Sequence, residues 1–131
     1  MGFDYSEFEK FCTNMNRAAN QFKDFLEDFL LKNALEALAK TKKRTPTGET
    51  GHLKQRWEIS SVVRRGADLV VYLYNPQEYA SYVEYGHATR NREGWVEGYF
   101  MSTISIEEIE RKMPQRFNRE FLKFMDSLEV G

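Results

Sequence analysis

A stripe of phenylalanines constrains this chain more than any other feature. Phe8, Phe11, Met15, Ala18, Phe22, Phe25 and Phe29 recur at alternating spacings of three and four, the interval that lines one face of an α-helix. Asp4 as a cap, Glu7 at the third helical position and Phe3 placed to staple onto Phe8 mark the start. Beyond Phe29 the apolar positions move to Leu30 or Leu31, Ala34, Leu35 and Leu38, so the buried face rotates. Lys40, Lys42, Lys43 and Arg44 suit the negative end of a helix dipole, and Pro46 then pushes Thr45 out of helical geometry. Unbroken, residues 5–44 run about 60 Å at about 1.5 Å per residue. A compact chain of 131 residues has a radius of gyration near ~14 Å. The sequence therefore predicts either a break near Ala18-Ala19-Asn20 or a helix that projects from the body. The stripe itself reads as core, because Phe is too large for regular two-stranded coiled-coil seams.

The remainder of the chain mixes strand and helix signals. Residues 45–52 are a loop by composition. Leu53, Gln55, Trp57, Ile59, Ser61 and Val63 then alternate with polar residues, the period of a half-buried strand. Arg64-Arg65-Gly66-Ala67-Asp68 is a turn, and Leu69 to Tyr74 is the partner strand of a hairpin that Asn75-Pro76 closes. Glu78 to Gly86 fits a short helix or an extended edge. Residues 87–94 are a second polar loop, and Trp95 to Thr103 fits a returning strand. Ser105 opens a helix that Pro114 interrupts, and Phe117, Phe121, Phe124, Met125 and Leu128 mark a last apolar helix face. The expected fold is α+β and a single domain over 1–131. It has a long N-terminal helix or helix pair, an antiparallel hairpin or small sheet, and C-terminal helices packed on it. The loops at 41–52 and 87–94 have little to bury and are expected to be mobile in a free monomer.

Composition excludes several classes. At 41% hydrophobic and 30% charged, with ten Phe, seven Tyr and two Trp, the chain is globular. One cysteine, Cys12, leaves no internal disulfide and no cysteine-based zinc site. The longest apolar run, Leu69 to Tyr74, is far short of a membrane span, and no signal peptide is visible at the N-terminus, so the sequence predicts an intracellular domain with no membrane partner. Net charge is only −1, but it is unevenly placed. Residues 40–66 carry eight basic and two acidic residues, whereas 67–110 carry eight acidic and two basic. Complementary blocks of this kind suit head-to-tail contact between copies.

Chemistry is sparse. His52 and His87 both fall in loops, and no HExxH, CxxC, P-loop or GxGxxG pattern occurs. Cys12 beside Phe11 reads as a buried thiol rather than a nucleophile. No pair of acids is placed across a cleft. The sequence thus predicts no enzyme, no cofactor and no metal. A rival reading is a small nucleic-acid-binding module using the basic 40–66 segment, with Arg90 and Arg92 in a second loop.

Three stretches carry a resemblance. Thr45-Pro46-Thr47-Gly48-Glu49-Thr50-Gly51-His52-Leu53-Lys54 ends a basic helix and precedes Trp57. Tyr79-Ala80-Ser81-Tyr82-Val83-Glu84-Tyr85-Gly86-His87 follows Asn75-Pro76, and Gly94-Trp95-Val96-Glu97-Gly98-Tyr99-Phe100-Met101 comes after it. Together they resemble the tail-component family of tailed phages and defective prophages, small proteins that complete the tail end and join it to the head. Glu97 and Tyr99 depart from the family's usual residues. The resemblance implies a non-enzymatic subunit, formed in the host cytoplasm and placed in the virion tail or neck. It implies a ring of about six copies formed only on assembly, with a head-completion or connector protein and a tail-tube protein as neighbours and DNA passing through. The candidate assembly residues are Thr45, Pro46, Gly51, Tyr82, Glu84, Gly86, His87, Arg90, Arg92, Trp95 and Gly98. Trp57, Tyr82, Trp95 and Phe100 are core or interface anchors, with core expected for Trp57 and Phe100. Glu84 beside His87 either orients the second loop by a hydrogen bond or forms a solvated surface pair.

Overall fold

The computed structural model describes residues 5–48 and 51–128. The predicted cap and staple, which involve Phe3, Asp4, Glu7 and Phe8, fall outside the described residues and side chains, as does the Phe11 position of the stripe. Helix α1 (Tyr5–Arg44) runs for 40 residues without a break. Ala18 and Ala19 are the best of helix formers, and one Asn after them is too weak a breaker to stop the helix. A second long helix, α4 (Met101–Ser127), accommodates its length by lying antiparallel beside it. Lys32 pairs with Glu120 at 3.0 Å and Lys40 with Glu108 at 3.2 Å, so partner numbers run in opposite directions.

Between those charges the rings interleave. Phe25 stacks on Phe124 with centroids 4.8 Å apart, and Phe29 meets Phe117 edge-on at 5.6 Å. By this pairing α4 ends level with roughly residue 20, which leaves about four turns of α1 beyond it. Pro114 does not interrupt α4. It removes one backbone bond, to the carbonyl of Glu110, but both residues are exposed, so the loss falls on the solvent side of the helix. Ile109 before it and Phe117 after it are packed inward and hold the helix on either side.

Two carboxylates are held by this helix pair. Arg116 hydrogen-bonds Glu36 through both guanidinium nitrogens, which keeps the Glu36 carboxyl below its ordinary value. Arg44, and then Lys40, do the same for Glu108.

The middle of the chain is α2 (His52–Gln55), β1 (Glu58–Ile59), β2 (Val63–Arg65), β3 (Asp68–Val70), β4 (Leu73–Tyr74), α3 (Ala80–Tyr85), β5 (Gly86–Ala88) and β6 (Trp95–Glu97). The strand expected from Leu53 is corrected at its start. Leu53 and Trp57 are four apart and both buried, a spacing that one helical turn satisfies as well as an alternating strand. The expected hairpin is present, with a fault in it. Glu58 opposes Tyr74 and Ile59 opposes Leu73, but further out Val63 opposes Val70 and Arg65 opposes Asp68. Residues 60–62 therefore face only 71 and 72, which is a β-bulge. Ser60 bridges it: its amide donates to Tyr72 O at 2.8 Å, and its hydroxyl accepts from Tyr72 N at 2.8 Å. The returning strand expected from Trp95 to Thr103 is only β6, because Met101 already begins α4.

The core lies where the loops meet the helix pair. Leu53, Trp57, Ala80 and Met101 are buried together, with Leu38, Leu73 and Val83 packed on them. The fold is α+β, as the element order predicts.

Candidate assembly surface

Two hydrogen-bonded joints support the surface. The first is at the end of α1. Thr41 Oγ1 donates to Ala37 O and Thr45 Oγ1 to Thr41 O, both at 2.7 Å, so each hydroxyl bonds back along the helix. Trp57 Nε1 then donates to Thr45 Oγ1 at 2.8 Å. The indole is only 5% exposed, so its one polar atom is satisfied inside the core. Gly51, at φ +67°, leads the chain from this joint into α2. Of the expected mobile loop 41–52, residues 41–44 are the last turn of α1, and 49 and 50 lie outside the described residues.

The second joint clasps α3 to α4. Glu84 is 3% exposed and accepts from Ser102 N, Thr103 N and Thr103 Oγ1 at 2.7–3.0 Å. A carboxylate there satisfies the free amides of the first helical turn and meets the positive end of its dipole. In return, Tyr99 N and Phe100 N donate to the carbonyls of Val83 and Glu84, near the end of α3. Each helix thus closes an end of the other. Phe100, predicted core, is half-buried at φ +47°, the residue from which α4 departs. Neither expected role for Glu84 holds, since it is buried and its bonds go to α4. His87 instead sets its ring edge-on to Tyr82 at 5.7 Å.

Close backbone approach completes the clasp. A Cβ on Gly86 would lie 2.4 Å from Val96 O, and one on Gly98 would lie 2.4 Å from Glu84 O. No side chain fits at either position.

This rigid base carries an unusual surface. Tyr79, Tyr82, Tyr85, Trp95 and Tyr99 are all exposed, Tyr85 at 59% and Trp95 at 58%. The β5–β6 ribbon shows solvent both sides of β6, with Trp95 and Glu97 on one side and Val96 on the other. A soluble domain seldom leaves this much aromatic area bare without a partner for it. Of the sequence candidates, Tyr82 and Trp95 are exposed here and His87 is half-buried beside Tyr82, while Glu84, Gly86 and Gly98 belong to the clasp that supports them. Arg90 and Arg92 are exposed in the adjoining loop, where Thr89 and Asn91 bond to each other. Thr45, Pro46 and Gly51 belong to the other joint. Tyr79, Tyr85 and Tyr99 were not among the sequence candidates, although the spacing of three from Tyr79 to Tyr82 to Tyr85 was there to be read.

Residues 9–86 match the HK97-gp10-like family, whose description is that of a bacteriophage tail component. The chain belongs to that family. The match runs from α1 through the whole of the first joint and the Glu84 side of the second to the start of β5, and stops short of Trp95 and α4. No curated protein and no solved structure matches this tail component. Among the described residues no three His, Cys, Asp or Glu side chains gather as a metal site would need, and no helix is long and apolar enough to cross a membrane.

Proposed function

We propose that this tail component completes the tail end and joins it to the head, working as a ring of about six copies. The observation that carries the reading is the bare aromatic surface on a base stiffened by the Glu84 clasp. Area of that kind fits protein contact, and rigid support lowers the ordering cost of making it. Its neighbours on this reading are a head-completion or connector protein and a tail-tube protein, and its place is the neck of the virion. We assign it no catalytic step.

Deleting the gene from its phage tests the proposal. Electron microscopy of the lysate should show filled heads and finished tails unattached to each other, and purified protein added to the lysate should join them. Infectious particles without the protein, or the complete absence of tails, would overturn it.

The nucleic-acid alternative draws on the basic 40–66 segment, from which Lys40 and Arg44 are withdrawn by Glu108. Steeply salt-dependent duplex binding by the free monomer would favour that alternative instead.

A further inference from the structure

We infer that the outer face of the bulged hairpin in one copy packs on the Trp95 side of the β5–β6 ribbon in the next copy. This rests on the proposed ring assembly and names the two surfaces that would form it.

The hairpin beyond the bulge has the properties of a contact arm. An isolated two-stranded ribbon is marginal in water. This one presents Val63 and Arg65 outward, and Val63 is 37% exposed. On that side half-buried Val70 lies opposite Val63 and exposed Asp68 opposite Arg65; the other side carries exposed Arg64 and half-buried Leu69, beyond which Val71 lines an apolar groove against α1 and α4. The bulge sets that split, because the extra residue changes which side chains face out beyond Ser60. Arg65 already lies over an aromatic ring, its guanidinium carbon 5.4 Å from the centroid of Tyr72.

The ribbon has the complementary character. Trp95 and Glu97 share one side of β6 and both are exposed. A flat aromatic surface beside a carboxylate suits an arm of valine and arginine, by apolar contact, stacking and ion pairing together. Among the described residues no hydrogen bond, ion pair or ring contact joins residues 62–71 to 78–99, so one chain does not satisfy both surfaces by itself. The charges that would meet are local ones, Arg64 and Arg65 on the arm and Glu97 beside Trp95 on the ribbon, with Arg90 and Arg92 out at the ribbon's tip. The two patches differ, so the contact is head-to-tail, which permits a closed ring.

A photoreactive benzoylphenylalanine at Val63 tests this in the full chain, with isotope-labelled and unlabelled copies mixed to identify links between molecules. Irradiation at high protein concentration should join residue 63 to the 94–99 peptide of another copy. Arg65→Glu should lower that yield about tenfold, and Glu97→Arg in the other copy should restore it. Both positions are exposed, and thermal melting confirms that each variant folds. Should Arg65→Glu fail to fold, Glu97→Arg alone must give the same loss. Links to other segments, no link at millimolar concentration, or no response to either charge change would overturn the contact. An unjoined head and tail in the deletion lysate together with a negative crosslink would reject this contact and leave the proposed function standing.

Discussion

Thr45 uses one hydroxyl twice, donating to the helix behind it and accepting from an indole twelve residues ahead. Trp57 is at once the largest apolar side chain of the core and the donor of that bond. Trp57→Ala should therefore destabilise the protein by about 3–5 kcal/mol in urea melting. Thr45→Val keeps the volume but strands the indole N–H, and should cost about 1–3 kcal/mol, most of it recovered in Thr45→Ser. A loss below about 1 kcal/mol for Trp57→Ala would show that the indole does not anchor the core. Half of this joint was legible: Trp57 in an apolar pattern reads as buried, and Thr45 before Pro46 reads as a helix end. Their hydrogen bond was not, because nothing local in the sequence tells which buried acceptor a distant indole will reach. Glu84 shows the same limit more sharply. Its neighbour in sequence, His87, suggested a partner, while its actual partners are the amides of a helix 18 and 19 residues on.

At the scale of elements, the α1–α4 pair joins an aromatic interior to charges along its flanks. Glu36 and Glu108 release their protons more readily folded than unfolded, because Arg116 holds the first and Arg44 with Lys40 the second. As pH falls, the unfolded chain takes up those protons first, so stability is full above the ordinary carboxylate range and drops below about pH 4. Glu36→Gln with Glu108→Gln should leave a protein less stable at neutral pH but with a shallower acid limb. Equal slopes for variant and parent, in denaturant titrations from pH 7 to pH 3, would mean these pairs contribute nothing. The helices themselves were legible from spacing, since Phe22 to Phe29 and Phe117 to Phe124 follow the helical period. Pro114 misled because its penalty falls on the exposed side of the helix and the packing either side outweighs it. The bulge at Ser60 was illegible because register is set by pairing across the hairpin, which alternation along one strand does not encode.

For the whole molecule, the sequence posed a choice between a kinked helix in a compact body and a straight helix that outruns it. The unbroken helix wins because α4 supplies an apolar face long enough to pack most of α1, and ring contacts between Phe22 and both Phe121 and Phe124 reach the last turns available. Among the described residues, the ring contacts and ion pairs that join α1 to α4 begin at Phe22. Such a shape has a direct signature in solution. A rod of about 60 Å has a radius of gyration of about 17 Å by its length alone, against about 14 Å for a compact chain of this size. Small-angle X-ray scattering on the monomer, at a concentration where light scattering gives a mass near 15.5 kDa, should return a radius above about 16 Å and a maximum dimension of at least about 60 Å. A radius near ~14 Å at that mass would mean the helix folds back near Ala18-Ala19-Asn20 in solution, and that packing by α4 is too short to keep it straight.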